Sequence, residues 1–499
     1  MYRRELLNDW DKKIMEFLRY LTQKGNHATK KEVSQKLALT RPTLLKLVAD
    51  IQEIFKNMSG FQLTTSNHEY QLHIDLTQNL TFMTRYLMLY SRKYKILKEI
   101  FFQENVNVNY FCDSNGLSIA TYYAEIRELN KLLAEFDLVI KNNQIHGSEI
   151  QIRHFFSSLF FHTLSVEKIE HLQTQLLPVA FITDLEELLE IRANHCFLHE
   201  LTLYLWVVKI RTEGQKDRFS NEAEFVEEIR NLGNRQSFVA GIRRIKSFTI
   251  LKNLWQKHLA YFPAHYDTEV SRLVCFFMSH HFSSSDSLLF RELNELGRCN
   301  NFISYRFVQS FLALSEVSAT QNDYIVYNVL KSIWQNILLK GHIMMDQTIF
   351  FNRYLDELDA INQKNQFDKI VLALETNFPE LFNHQKIKDP LKGDLGRAFL
   401  YLQEEKEALY RVGIYYVGNQ LLARQMTNYY LYELNKYPNL YATAWNRDSE
   451  FDIVLSNYEI GDLIQNEQLF YINVSHPELN IQEILRYVKN QQMKIGHLG

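Results

Sequence analysis

Residues 117–156 read LSIATYYAEIRELNKLLAEFDLVIKNNQIHGSEIQIRHFF, and this stretch decides the fold. Ser118 stands where a helix N-cap belongs. The helix it opens runs to about Phe136, with an expected buried stripe of Ile119, Tyr123, Ile126, Leu129 and Leu133. Leu138–Ile140 and Gln144–His146 then flank Asn142-Asn143, a pair that tolerates the left-handed backbone of a tight hairpin turn. Upstream, Tyr94–Phe102 predicts a helix, Val106–Asn115 a shorter one, and Gly116-Leu117 the turn that follows. Helix, short helix, tight turn, helix, hairpin is the order of a winged helix-turn-helix.

The same order occurs earlier in the chain. Residues 10–24 predict a helix with Trp10, Ile14, Phe17, Leu18 and Leu21 on one face, and Gly25-Asn26 end it. Thr29 and Glu32 form a capping-box pattern for a short helix that buries Val33 and Leu37. After the turn Ala38-Leu39-Thr40, a helix runs from Arg41 to about Phe55 on a core stripe of Leu44, Val48, Ile51 and Phe55. Pro42 falls in its first turn, where a missing N–H costs nothing. Gly60 breaks the pattern, and Phe61–Leu63 and Tyr70–Ile74 read as short strands. A helix-like stretch, Leu76–Tyr90, joins the two units. A recurring five-element order is much harder to obtain by chance than one copy.

The charge distribution singles out the same region. The chain of 499 residues has a net charge of −3, yet residues 1–100 carry 17 Lys+Arg against 10 Asp+Glu, a surplus of seven. The remainder is acidic by ten, so a polyanionic partner is expected for the head alone. In the first unit the exposed side of the second helix carries Arg41, Thr43, Lys46 and Asp50. Arg41 and Lys46 can reach guanine edges or phosphates, and Lys30, Lys31 and Lys36 on the supporting helix are placed for backbone contacts. In the second unit the expected exposed side is Ser118, Thr121, Tyr122, Glu125 and Lys131, a less basic set suited to register or protein contact as much as to charge.

With only 16 Gly and 7 Pro, turns are sparse, and residues 150–382 are nearly all helical in pattern. Their length exceeds a typical domain, so a division near Ser283–Ser285 is expected. Lys386–Gly393 reads as a polar linker. Beyond it, strands at Val412–Val417, Leu440–Trp445, Phe451–Leu455 and Leu469–Val474 alternate with helices at Asn419–Asn435 and Ile481–Asn490, a small α/β sandwich with a parallel sheet. Cys112, Cys196, Cys275 and Cys299 form no CxxC pair, which argues against a zinc site or disulfide framework and fits a reducing cytoplasm. No apolar run approaches a membrane span, and the first residues lack the apolar core of a signal peptide. No nucleotide-binding glycine motif, GxSxG or HExxH is present, and Glu186, Glu187 and Glu190 read as a solvated helix face, so no enzyme, cofactor or metal is expected.

The segments KKEVSQKLALTRPTLLKLVADI and LSIATYYAEIRELNKLLAEFDLVIKNNQIHGSEIQIRHFF, the latter with its progression through Gly147, Glu149 and Arg153, resemble the Mga/AtxA-type regulators of Gram-positive bacteria. The resemblance implies a multidomain, mainly α protein. It would comprise winged helix-turn-helix 1 at 1–75, winged helix-turn-helix 2 at 76–160, PRD-like all-helical domains at 161–285 and 286–390, and an enzyme IIB-like α/β domain at 391–499. PRDs are regulatory domains whose histidines are phosphorylated by the sugar phosphotransferase system. YRVGIYYVGNQLLARQMTNYYLYEL, FDIVLSN and FYINVSHPELNIQEIL are similar to enzyme IIB, a domain associated in this family with self-association.

Two departures stand out. The phosphorylated Cys of many IIB domains is missing from Tyr416-Val417-Gly418-Asn419. The PRD histidine positions hold Tyr204, Phe276 and Asn328, leaving His199 and His280 as nearby candidates for phosphorylation, with His195 and His281 beside them. The implied function is a cytoplasmic, homodimeric activator that binds double-stranded DNA, regulates virulence and carbohydrate genes, and takes its signal from phosphotransferase-system phosphocarriers. The alternatives are a phosphotransferase-system scaffold or an RNA-binding antiterminator.

Overall fold

The computed structural model describes residues 1, 3–74, 80–103, 106–213, 225–227, 229, 235–259, 266–280, 287–315, 323–341, 361–382, 391–399, 402, 410–417, 420–437, 440–446, 451–458, 468–472 and 477–495. Outside them lie the serine run at Ser283–Ser285, His281, Gly418, Asn419 and most of the expected linker at Lys386–Gly393. The chain divides into two compact units, Met1–Leu395 and Gly396–Gly499.

In the first unit, α1 (Asp9–Gln23) buries Ile14, Met15, Phe17, Leu18 and Leu21. The strand β1 (His27–Thr29) was not legible, because three residues are too few to show an alternation. α2 (Lys30–Leu37) starts at a complete capping box: Thr29 Oγ1 accepts from the Glu32 N–H at 3.2 Å, and Glu32 Oε2 from the Thr29 N–H at 2.8 Å. α3 (Arg41–Ile54) buries Leu44, Leu47, Val48 and Ile51. β2 (Phe61–Thr65) and β3 (Glu69–Ile74) form an antiparallel hairpin, and β1 adds to β3, giving the order β1-β3-β2.

After the connecting α4 (Leu80–Tyr90) the motif repeats as α5 (Arg92–Phe102), α6 (Val108–Asn115), α7 (Ile119–Leu133), β4 (Val139–Lys141) and β5 (Gln144–His146). Asn142 and Asn143 have φ of 50° and 59°, the left-handed pair a two-residue hairpin turn requires. One continuous core runs through both motifs, from Leu6, Phe17, Ile51 and Phe55 through Leu87 and Ile96 to Leu129 and Phe156. The two winged motifs are therefore packed as a single body.

From Glu149 to Phe382 every described element is a helix. α8 (Glu149–Thr163) follows the second wing and is buried on all sides, as a central helix must be. Gly147, just before it, has φ of 152° and lies so close to the wing that a Cβ there would stand 2.4 Å from Leu138 Cδ2. α9 (Val166–Leu176), α10 (Val179–Leu189) and α11 (His195–Thr212) follow. They are succeeded by α12 (Arg235–Ile242), α13 (Lys246–His258), α14 (Tyr266–Ser279), α15 (Leu288–Cys299), α16 (Ile303–Leu314), α17 (Asp323–Leu338), α18 (Ile361–Asn377) and α19 (Pro379–Phe382).

The second compact unit is an α/β fold. β6 (Tyr410–Tyr415), α20 (Gln420–Leu434), β7 (Leu440–Ala444), β8 (Ile453–Ser456), β9 (Gln468–Tyr471) and α21 (Pro477–Ile495) follow in the expected order, though among the described residues no helix separates β7, β8 and β9. The sheet is wholly parallel in the order β7-β6-β8-β9. Tyr430 and Leu434 of α20 and Ile481, Ile484 and Val488 of α21 share a core with Val412, Ile414 and Leu455. Gly413 is required by close approach, since a Cβ would meet the Trp445 ring at 2.9 Å and that of Phe451 at 3.0 Å.

Candidate nucleic-acid interface

The turns that launch α3 and α7 share one geometry. Ala38 and Gly116 are both left-handed, with φ of 50° and 61°. The next N–H in each closes the helix end, Leu39 onto the Ser34 carbonyl at 3.1 Å and Leu117 onto the Cys112 carbonyl at 2.9 Å. A hydroxyl residue then occupies the N-cap, Thr40 or Ser118. Farther along each helix, at matching positions, an amide side chain ties helix to wing. Gln52 Nε2 donates to the Leu63 carbonyl at 2.9 Å. Asn130 donates to the Ile140 carbonyl at 3.0 Å and accepts from its N–H at 2.7 Å. The motifs therefore superpose in register: Arg41 matches Ile119, Thr43 matches Thr121, Leu44 matches Tyr122, and Leu45 matches Tyr123.

On the first motif, Arg41 and Lys46 are exposed, as are Lys31 and Lys36, while Thr43 and Lys30 are half-buried. Lys46 Nζ lies 5.6 Å from the centroid of the Trp10 ring, and the Trp10 indole N–H donates to Asp50 at 2.9 Å. Trp10 thus lines the flank of the helix and steadies both charges. Lys30 lies 5.7 Å from the Tyr70 ring. The Thr43 hydroxyl shares a 2.9 Å hydrogen bond with that of Thr40.

On the second motif the expected stripe is corrected in its first turn. Tyr122, expected on the exposed side, is fully buried, whereas Ile119 and Tyr123, expected inside, are 49% and 44% exposed. The true stripe is Tyr122, Ile126, Leu129 and Leu133. Counting from the Ser118 cap explains it: the fourth helical residue turns inward in both motifs, as Leu44 does in the first. The buried Tyr122 hydroxyl donates to Asn143 Oδ1 in the wing turn at 3.3 Å, and burial, then the neighbouring Tyr123, push its pKa up to about 12.

Glu125 also turns inward, 3.5 Å from Lys93 and 3.8 Å from Arg92. Ser118 caps the helix, accepting from the Thr121 N–H at 3.1 Å, and exposed Lys131 pairs with Glu128 at 2.7 Å. Ile119, Tyr123 and Arg127, one helical turn apart, are also exposed on α7, and Leu45, at 50% exposure, holds the position on the first motif that matches Tyr123. These four residues were missed, and alignment of the two caps is the signal that finds them.

Behind the second motif, α8 is locked to the helical body by buried ions. Glu149 accepts from Arg153 Nε at 2.8 Å and from Arg211 Nη2 at 2.8 Å. Arg153 pairs with both oxygens of Glu269, at 2.6 and 3.1 Å, and Arg272 joins Glu269 at 2.9 Å. Burial would raise the Glu149 pKa, but Arg211 and Arg153 outweigh it and hold the carboxyl at about 2. Gln151 adds hydrogen bonds to the Leu338 carbonyl at 2.8 Å and the Lys340 N–H at 2.9 Å, so α17 also docks on α8.

The phosphorylation candidates lie apart from this interface. His199, in α11, is half-exposed, with Nε2 enclosed and unpartnered. His280, also half-exposed, stacks on Phe276 at 4.0 Å between ring centroids, with Nδ1 2.8 Å from the Phe276 carbonyl oxygen. Tyr204 and Phe276, at the expected PRD histidine positions, are buried and stacked on one another at 4.5 Å.

Two helix-turn-helix motifs, each with a wing, in one core define a tandem winged helix-turn-helix protein. Residues 76–160, from the connecting region through the second motif and into α8, match the family model described as the Mga helix-turn-helix domain. The chain thus carries a Mga-type helix-turn-helix domain, in agreement with the resemblance read from residues 117–156, and this supports a DNA-binding transcription regulator of the Mga type. No curated protein matches the chain. Among the described residues, no helix is long and apolar enough to cross a membrane.

Proposed function

We propose that this protein is a homodimeric transcription activator that grips duplex DNA with both winged motifs at once. The observation that carries the reading is the repeated turn-cap-helix geometry, which leaves the first turns of α3 and α7 exposed on a shared core. Shared packing fixes the two readers relative to one another, so they engage one duplex as a pair. The first motif supplies charge through Arg41, Lys46, Lys31 and Lys36, which sets affinity and salt dependence. The reading assigns the chain no catalytic step. The test is filter binding of the full chain to a random duplex pool with hairpin RNA as competitor. Retention of duplex through moderate salt supports the reading. Preference for the hairpin favours an antiterminator, and release of all nucleic acid already at low salt favours a scaffold.

Dimerisation is assigned to the IIB-like α/β unit. On α20, Leu421 is 83% exposed and Tyr432, three helical turns later on the same face, is 69% exposed. Leu421→Glu with Tyr432→Glu should convert dimer to monomer in sedimentation of the full chain, and a persistent dimer moves the interface elsewhere. The link to carbohydrate status is assigned to the PRD-like helices through His199 and His280. It requires acid-labile phosphate on these residues after incubation with the phosphocarrier, and absence of label removes that link while leaving DNA binding untouched.

A further inference from the structure

We propose that Leu45 and Tyr123 are specificity-determining residues that each pack against the 5-methyl group of a thymine in the major groove. The inference rests on the DNA-binding reading and goes beyond it by naming what is read.

Both residues occupy the fifth position of their helices, counted from caps of matching geometry, and both are large apolar side chains facing solvent at 50% and 44% exposure. Elsewhere in the two motifs the inward positions at this depth are filled: Leu44, Leu47, Tyr122 and Ile126 are all buried. Core packing does not require an apolar residue left about half exposed at the same register position in two copies of a motif. Tyr123 is held in place from below, its ring edge-on to that of buried Tyr122 at 5.4 Å.

Each apolar residue also has an arginine one turn away along the exposed face, Arg41 before Leu45 and Arg127 after Tyr123. Four residues of helix span about 6 Å, close to two base-pair steps. Guanine offers the acceptors that suit Arg, and thymine is the base that offers a methyl in the major groove. The geometry therefore points to a site in which each motif covers a thymine with a G·C pair about two steps away. The order of apolar and cationic residues is reversed between the motifs, so the two half-sites differ and fix the direction of each protomer on the duplex.

The test selects bound sequences from a random duplex pool with the full chain, then replaces individual thymines by deoxyuridine, which removes the methyl group alone. Burying one methyl corresponds to about a fourfold change in affinity. Deoxyuridine is therefore expected to weaken binding about fourfold at one thymine in each half, and about fifteenfold at both. Leu45→Ala should abolish the sensitivity in one half and Tyr123→Ala in the other. Both side chains lie on the surface, and the deoxyuridine series on the unaltered protein needs no variant at all. Equal affinity for thymine and deoxyuridine sites would overturn the proposal. So would sensitivity that survives both substitutions, or duplex binding with no enriched sequence, and in these cases the DNA-binding reading stands. Failure to retain any duplex DNA brings down both.

Discussion

Replacing Glu149 by Gln tests how the DNA-binding head is fastened to its body. The substitution keeps the volume and one acceptor oxygen but removes the charge shared by Arg153 and Arg211. A carboxyl ordinarily near 4.5 but held at about 2 favours its ionised form by about 3 kcal/mol, at about 1.4 kcal/mol per pH unit. That agrees with the roughly 3–5 kcal/mol expected when one partner of a buried ion pair is removed. Because the whole chain need not unfold in one step, the readout is hydrogen exchange over residues 149–163 and 195–212. Protection should fall about a hundredfold in Glu149→Gln. The folded carboxyl has the lower pKa, so its contribution is complete above about pH 4.5 and drains away as the pH falls towards 2. The gap between wild type and variant should therefore be full near neutrality and close in acid. A fall in protection of less than about fivefold, or a gap that widens in acid, would refute the argument.

Three further expectations concern the head itself. Ala38 bears a left-handed φ of 50° at the position where the second motif uses Gly116, so Ala38→Gly should stabilise the head by about 0.5–1 kcal/mol, read as a rise in its melting temperature. Gly147→Ala should cost at least about 1–3 kcal/mol, because the new Cβ meets Leu138 Cδ2 at 2.4 Å and the Asp137 carbonyl at 3.0 Å; a melting temperature equal to wild type would contradict this. Arg41→Ala with Lys46→Ala should weaken duplex binding by about 1–3 kcal/mol for each base edge that the two cations no longer reach, and a filter-binding titration that shows no change would exclude the first motif as a reader.

Much of the architecture was legible because local signals agreed with one another. The Thr29–Glu32 capping box, the Pro42 first turn and the Asn142-Asn143 hairpin each act over a few residues, and each recurs in the structure where the sequence puts it. The register of α7 was not legible from periodicity alone. Ile119, Tyr122 and Tyr123 are all large and apolar, so hydrophobicity cannot say which of them turns inward. The Ser118 cap decides it, since the cap fixes the angle at which the helix starts, and comparison with Thr40 and Leu44 would have resolved the choice. The buried ladder was illegible for a different reason. Glu149 and Arg153 are adjacent on one helix, but their partners, Arg211 and Glu269, are distant in sequence and carry no local mark.

That ladder bears on how a movement of the helical body would be passed to the two winged motifs. α8 begins where the second wing ends, and three body helices hold it: α11 through Arg211, α14 through Glu269 and the end of α17 through the Gln151 bond to Leu338, which a second Gln151 bond to Lys340 just beyond the helix supports. Alternating charges in a ladder of this kind are satisfied in one register only, and sliding α8 by a turn would leave a buried arginine facing an arginine. The same helix packs through Phe155, Phe156 and Phe160 into the core that carries α5 and both recognition helices. A shift of α11, α14 or α17 therefore cannot be absorbed at α8 by gradual sliding. It either leaves the head where it is or moves α8 and the two readers together as one body.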